Sequence, residues 1–257
     1  MWPSEWTADP TFQLAAVPAA HAGATPPFTM AFQPIVDVAV RAVFAQEALV
    51  RSATGGTAEE VFARVHPGNR YAFDLACRRR AIEFAADLRF RSRLSINLLP
   101  NAASQPSLGI EATLAAADAA GFPVDRIVFE FTEGEHVHDR RQLRDTVRAF
   151  QSRGFQTAID DFGAGHSGLN LLADILPDLI KLDLALVRDV HRDRGRRAII
   201  RGVQAFCRDL GIVVIAEGIE DVDEFRALQD LGIDLFQGYR FGPPALESFT
   251  VPHIPLP

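Results

Sequence analysis

A chain of 257 residues that is 48% apolar is long enough for one large α/β barrel or two small domains. Its net charge of −7 and pI near 5.5 argue against a general nucleic-acid-coating or membrane-surface role, so an anionic ligand would have to be met by local positive charge. No run of about 18 apolar residues occurs, so no membrane span is expected, and the N-terminus lacks the basic region of a signal peptide. Cys77 and Cys207 stand in helix-like segments without a CxxC spacing and read as buried free thiols of a reducing compartment.

Residues 1–28 carry Pro3, Pro10, Pro18, Pro26 and Pro27 and read as an arm or linker, with 29–250 the folded unit and 251–257 a C-terminal tail. From Met30, two β-like runs, AFQPIVDV and RAVFAQEALVR, follow so closely that only an antiparallel hairpin can join them. TAEEVFARVH opens with Thr57 and has Glu60 three residues on, a capping-box start, and 69–88 reads as a long amphipathic helix. Strand and helix then alternate: strands at 93–99, 126–133, 155–161, 178–183, 211–218 and 233–239, with helices around 109–120, 138–153 and 167–175, one continuous helix to about Leu210, and one at 220–231. With the hairpin this makes eight strands. The fold class expected is α/β, a modified TIM (β/α)8 barrel with an antiparallel first strand pair.

Each strand is apolar until its C-terminal end, where a polar residue breaks the run: Glu47, Asn97, Glu130, Asp160 with Asp161, Lys181 with Asp183, Glu217 and Gln237. Taken singly, each has a plain role as a turn-former, loop amide or solvated charge, and DDFG can be a polar turn between strand and helix. The C-terminal strand ends of such a barrel surround one mouth, however, and five acids gathered there repel one another unless cations intervene. Hard oxygen ligands of this kind suit Mg²⁺ or Mn²⁺. Asp160 and Asp161 could together serve a pair of metals about 4 Å apart, the spacing used in phosphoester hydrolysis. Neighbouring acids on a strand point to opposite sides, so this requires Asp161 to sit where the strand already turns.

Taken in order, these residues resemble the EAL domains, which hydrolyse the bacterial second messenger cyclic di-GMP. The signature stands as Glu47-Ala48-Leu49, preceded by FQPIVD (32–37) and followed by SIN (95–97), FEFTE (129–133), DDFGAGHSGL (160–169), KLD (181–183), AEGIE (216–220) and QGY (237–239). The match spans roughly 28–246, and YAFDLACRRRAIEFA and SINLLPNA resemble EAL domains that accompany blue-light-sensing BLUF domains. The resemblance implies that Glu47, Asn97, Glu130 and Asp160 bind a first metal, and that Asp160 bridges to a second held by Asp161 and Glu217. It implies that Lys181 orients the attacking water and offsets phosphate charge, with Glu217 the general base in some accounts. Gln237 would position water or substrate, and Glu133 would anchor the glycine-rich loop 162–168, with Glu220 supporting the site. Arg51 would contact the uncut phosphate, with Gln33 and Asp183 also binding substrate.

The implied cofactors are two Mg²⁺ or Mn²⁺ ions, with Ca²⁺ inhibitory, and the implied product is linear pGpG. The implied partners are cyclic di-GMP, a second copy of the chain through helices at 167–175 and 186–210, and an upstream sensor domain or protein. The implied compartment is the cytoplasm. Two departures stand out: His166 replaces a usual tyrosine, and Ser52 stands where a tryptophan is common, which would alter the wall of the substrate pocket. His136, His138 and His191 are read as non-ligands. Two other readings compete. One is a catalytically silent receptor of cyclic di-GMP or of a protein. The other is an enolase-type proton abstractor using Lys181, which leaves Gln237 and the paired aspartates unexplained.

Overall fold

The computed structural model describes residues 25–99, 106–132, 140–164 and 168–254, so most of the expected arm lies outside the described residues. The strands are β1 (Phe28–Asp37), β2 (Ala42–Ser52), β3 (Arg93–Asn97), β4 (Ile127–Thr132), β5 (Gln156–Phe162), β6 (Leu179–Leu182), β7 (Val213–Ala216) and β8 (Leu235–Gln237). β2 to β8 run parallel in chain order, and β1 closes the barrel by pairing antiparallel with both β2 and β8. The predicted barrel and its antiparallel opening pair are thus present. A two-residue β9 (Ala245–Leu246), which the sequence reading did not include, also pairs with β1.

The helices are α1 (Ala58–Ala63), α2 (Arg70–Asp87), α3 (Pro106–Ala120), α4 (Arg140–Ser152), α5 (Gly168–Ile175), α6 (Leu184–Val187), α7 (Arg194–Leu210) and α8 (Val222–Gln229). Thr57 caps α1, accepting from the Glu60 amide as its spacing predicts. The continuous helix expected up to Leu210 is instead α6 and α7. Asp189 takes a left-handed φ of 58°, its amide is held by Glu224 Oε1 at 2.8 Å, and Asp193 caps α7 through the amides of Gly195 and Arg196.

Buried apolar side chains cover both faces of the sheet, in two of the three clusters found among the described residues. The larger packs outward-facing side chains against the helices; in it Phe129 lies 4.6 Å from Phe150 and 5.1 Å from Phe155 between ring centres. The smaller is inside the barrel and contains Ile35, Ala45, Val128, Ala158, Leu179, Ile215 and Leu235. Strand side chains alternate, so the residue two positions nearer the mouth on each of these strands also points inward. Those residues are Gln33, Glu47, Glu130, Asp160, Lys181, Glu217 and Gln237, and β3 follows the same pattern with Ser95 and then Asn97. At the β2–β3, β4–β5, β6–β7 and β8–β1 seams the pairing is offset by two residues, a stagger of eight in all. That is the shear of a (β/α)8 barrel.

Candidate functional site

The eight inward positions form a cup whose floor is the apolar plug and whose centre is one ammonium group. Lys181 Nζ lies 2.7 Å from Glu217, 2.9 Å from Glu130, 3.2 Å from Asp160 and 3.4 Å from Glu47. Lys181 and Glu130 are each 1% exposed, so the charges interact with little solvent between them. Glu47 is held from three sides: Asn97 Nδ2 donates to Oε1 at 3.0 Å, Gln237 Nε2 donates to Oε2 at 2.7 Å, and Lys181 faces the same oxygen. Ser95 Oγ donates to Glu130 Oε1 at 2.5 Å.

Asp161 joins this group through a break in the strand. Its φ is 54°, and the pairing of β5 with β6 shifts between Ile159 and Phe162, so its carboxylate turns back beside that of Asp160. Carboxylate oxygens of Asp160, Asp161 and Glu217 all lie within 4.8 Å of one another. The next residue but one, Gly163, has φ 101°, which favours glycine, and a Cβ there would stand 2.2 Å from Leu186 Cδ1, so α6 packs closely over the end of the strand.

One ammonium cannot neutralise five acids, and their proton affinities show it. Burial pushes the Glu47 carboxyl up, but Lys181 and the Gln237 and Asn97 amides outweigh it and hold the group at about 2. Burial lifts Glu130 to about 8, with Lys181 opposing and Glu47 and Asp160 reinforcing the rise. Burial, Asp160 and Asp183 lift Asp161 to about 7, and burial with the neighbouring acids holds Glu217 well above the carboxylate range despite Lys181. Burial would lower Lys181, yet the four acids raise it well above its ordinary value. The donor set is therefore buried, hard and short of positive charge, which fits divalent cations.

The remaining predicted residues fall around the cup. Arg51 is half-buried, donates to the Val50 carbonyl at 2.7 Å, and lines with Asn97, Val50 and Phe62 a recess beside the site. Asp183 caps α6, accepting from the Ala185 amide at 2.7 Å, and lies close enough to Asp161 to raise its proton affinity. Gln33 bonds to Gln237 and to the Gly242 carbonyl. Glu220 is exposed. Glu133, His136, His138 and His166 lie outside the described residues. Ser52 is buried and turned onto the adjacent turn, its Oγ accepting from the Thr54 amide at 3.2 Å.

Sequence reasoning missed Ser95, although a serine inside the apolar run RLSIN was a visible signal for an inward polar contact. His191, read as a non-ligand, has a ring nitrogen within 4.8 Å of carboxylate oxygens of Asp221 and Asp223, and Asp221 is already committed to capping α8. Cys77 and Cys207 are buried and free, as expected. Among the described residues, no helix is long and apolar enough to cross a membrane.

A standalone EAL protein of Vibrio cholerae O395, solved in its c-di-GMP-bound form, is 45% identical with a TM-score of 0.86, over 90% of this chain and 98% of that one. Klebsiella pneumoniae BlrP1, solved as a manganese and cyclic-diGMP complex, is 41% identical with a TM-score of 0.82, over 86% of this chain and 57% of that one. The blue light- and temperature-regulated antirepressor BluF of Escherichia coli is 32% identical over 228 residues, 88% of this chain and 56% of that protein. The cyclic di-GMP phosphodiesterase PdeB of Shewanella oneidensis is 30% identical over 151 residues, 59% of this chain and 18% of that protein. The chain thus spans about half the length, or less, of these curated relatives. The family model described as EAL domain matches residues 20–244, and the chain belongs to that family.

Proposed function

We propose that the chain hydrolyses cyclic di-GMP to linear 5′-pGpG with two divalent cations, Mg²⁺ or Mn²⁺, and so lowers the level of that messenger. The observation that carries this reading is the cup itself: four acids around Lys181 with Asp161 folded back to join them. Relatives named as cyclic di-GMP phosphodiesterases, and solved relatives holding the nucleotide with manganese, support it.

Glu47, Asn97, Glu130 and Asp160 would hold one cation, and Asp160, Asp161 and Glu217 the other. When bound, the pair supplies shielding of the phosphodiester charge and acidifies the attacking water. Lys181, already drawn to four acids, orients that water and offsets charge on the phosphate. Glu217, whose carboxyl holds its proton tightly before cations bind, is either a ligand or the base that takes the water's proton. The Gln237 carbonyl positions water or substrate, and Arg51 meets the uncut phosphate with its planar fork. Asp183 lines the substrate side, and Glu133 anchors the glycine-rich loop. Attack at one phosphorus breaks one P–O3′ ester and opens the ring. The catalytic unit is residues 29–250, working in the cytoplasm as a homodimer under an upstream sensor domain or partner.

The test is incubation of the purified chain with cyclic di-GMP and Mg²⁺ or Mn²⁺, reading pGpG. Ca²⁺, with looser coordination, is expected to inhibit, and rapid turnover in Ca²⁺ alone would sink the proposed centre. A second reading is favoured by the relative named an antirepressor: a silent receptor that binds cyclic di-GMP or a protein. Nucleotide retained without pGpG selects it.

A further inference from the structure

We propose that Gln33 is a positioning residue that fixes which end of the Gln237 amide faces the acids, an inference that rests on the two-cation reading above and replaces the expectation that Gln33 binds substrate. Seven of the eight inward mouth positions are contributed by parallel strands; Gln33 comes from β1, which runs the other way and is aligned with Glu47 across the hairpin. Its amide is clamped at both ends. Nε2 donates to the Gly242 carbonyl at 3.2 Å, and Oε1 accepts from Gln237 Nε2 at 3.3 Å. The Gly242 carbonyl can only accept, so Nε2 must face it and Oε1 is left facing Gln237. That orientation dictates Gln237 in turn. Its Nε2 is directed to Gln33 and to Glu47 Oε2 at 2.7 Å, and its Oε1 is left as a buried acceptor without a partner. Rotating the Gln237 amide by half a turn would set its oxygen against the Gln33 oxygen and the Glu47 carboxylate, so Gln33 and Glu47 together exclude that state.

The clamp has a rigid base. A Cβ at Gly242 would lie 3.2 Å from Pro34 Cγ and 2.9 Å from Thr250 Cγ2, so this backbone sits directly on the residue after Gln33. Gly238, with φ 153°, presses so closely on Ile219 that a Cβ would fall 2.2 Å from its carbonyl oxygen. Ile219 N donates to the Gln237 carbonyl at 3.0 Å, two residues beyond Glu217. The turn after β8 is therefore fastened to β1 on one side and to the β7 exit on the other.

The experiment is Mn²⁺ titration by electron paramagnetic resonance of the wild-type chain, Gln33→Leu, Gln237→Leu and the double variant, with kcat and KM for cyclic di-GMP alongside. Gln33→Leu is expected to weaken Mn²⁺ binding about tenfold and to lower kcat, with KM within twofold and an unchanged melting temperature. Added to Gln237→Leu it is expected to do nothing further, because one acts through the other. Gln33→Met, unbranched and with no donor and only a weakly accepting sulfur, is read in its place if the leucine variant is misfolded. A raised KM with Mn²⁺ affinity unchanged assigns Gln33 to substrate contact and overturns the proposal, as do additive effects in the double variant. A wild-type chain that binds Mn²⁺ without producing pGpG removes the phosphodiesterase reading while the titration still decides this one. Failure of the wild type to bind Mn²⁺ overturns both.

Discussion

Two layers of one barrel interior, two residues apart along every strand, have opposite energetics. The lower layer, with Ile35, Val128, Leu179 and Ile215, is buried and apolar, and its removal from water stabilises the fold. The upper layer is almost as dry but holds acids around a single ammonium, and its desolvation is only partly offset by mutual attraction. Local structure is the same in both, and what differs is the side chain at the inward position. Stability is thus concentrated in the layer without chemistry, and chemistry in the layer that costs stability.

Substitutions should separate the two layers. The largest effect is expected in the upper one: Glu47→Ala should lower pGpG formation on the order of 10³-fold, by analogy with loss of a single preorganised transition-state contact. In the lower layer, Leu179→Ala should cost about 2–5 kcal/mol in denaturant unfolding and leave Mn²⁺ half-saturation where it was. A loss of Mn²⁺ affinity as large as that of Glu47→Ala would show that the layers are not separable.

A third expectation concerns pH. Glu130 at about 8, Asp161 at about 7 and the raised Glu217 bind protons in the folded chain that they release when unfolded. The folded state therefore holds more protons between roughly pH 5 and 8, and stability of the cation-free chain should fall across that window by a few kcal/mol. Glu47, depressed to about 2, acts the other way but has finished its contribution by about pH 5. Thermal melts with chelator should show the decline, and saturating Mg²⁺ or Mn²⁺ should flatten it. The smallest effect is that of Ser95→Ala, which removes one bond to Glu130 worth about 1 kcal/mol and should weaken Mn²⁺ binding several-fold in the same titration.

Much of this is legible in the amino-acid sequence. Inward acids at strand ends break apolar runs, so Glu47, Glu130, Asp160 and Glu217 announce themselves, and the tight spacing of the first two runs requires the antiparallel pair. The turn at Asp161 follows only as a requirement, since a left-handed φ at an aspartate is uncommon and local sequence does not announce it. The interruption between α6 and α7 is hidden for a similar reason: it depends on Glu224, thirty-five residues from the amide it holds. Gln33 and Ser95 escape a polar reading of their own because each is a single polar residue whose partner arrives from a distant strand.

The antiparallel seam also ties chemistry to assembly. β1 is locked by β8 and β9, whose partners lie about two hundred residues downstream, so the closing contacts carry the largest loop-closure entropy in the barrel. Gln33, Glu47 and Gln237 sit on the staves that meet at this junction. During refolding, cation uptake should therefore come last, a natural reporter that the final stave has found its place.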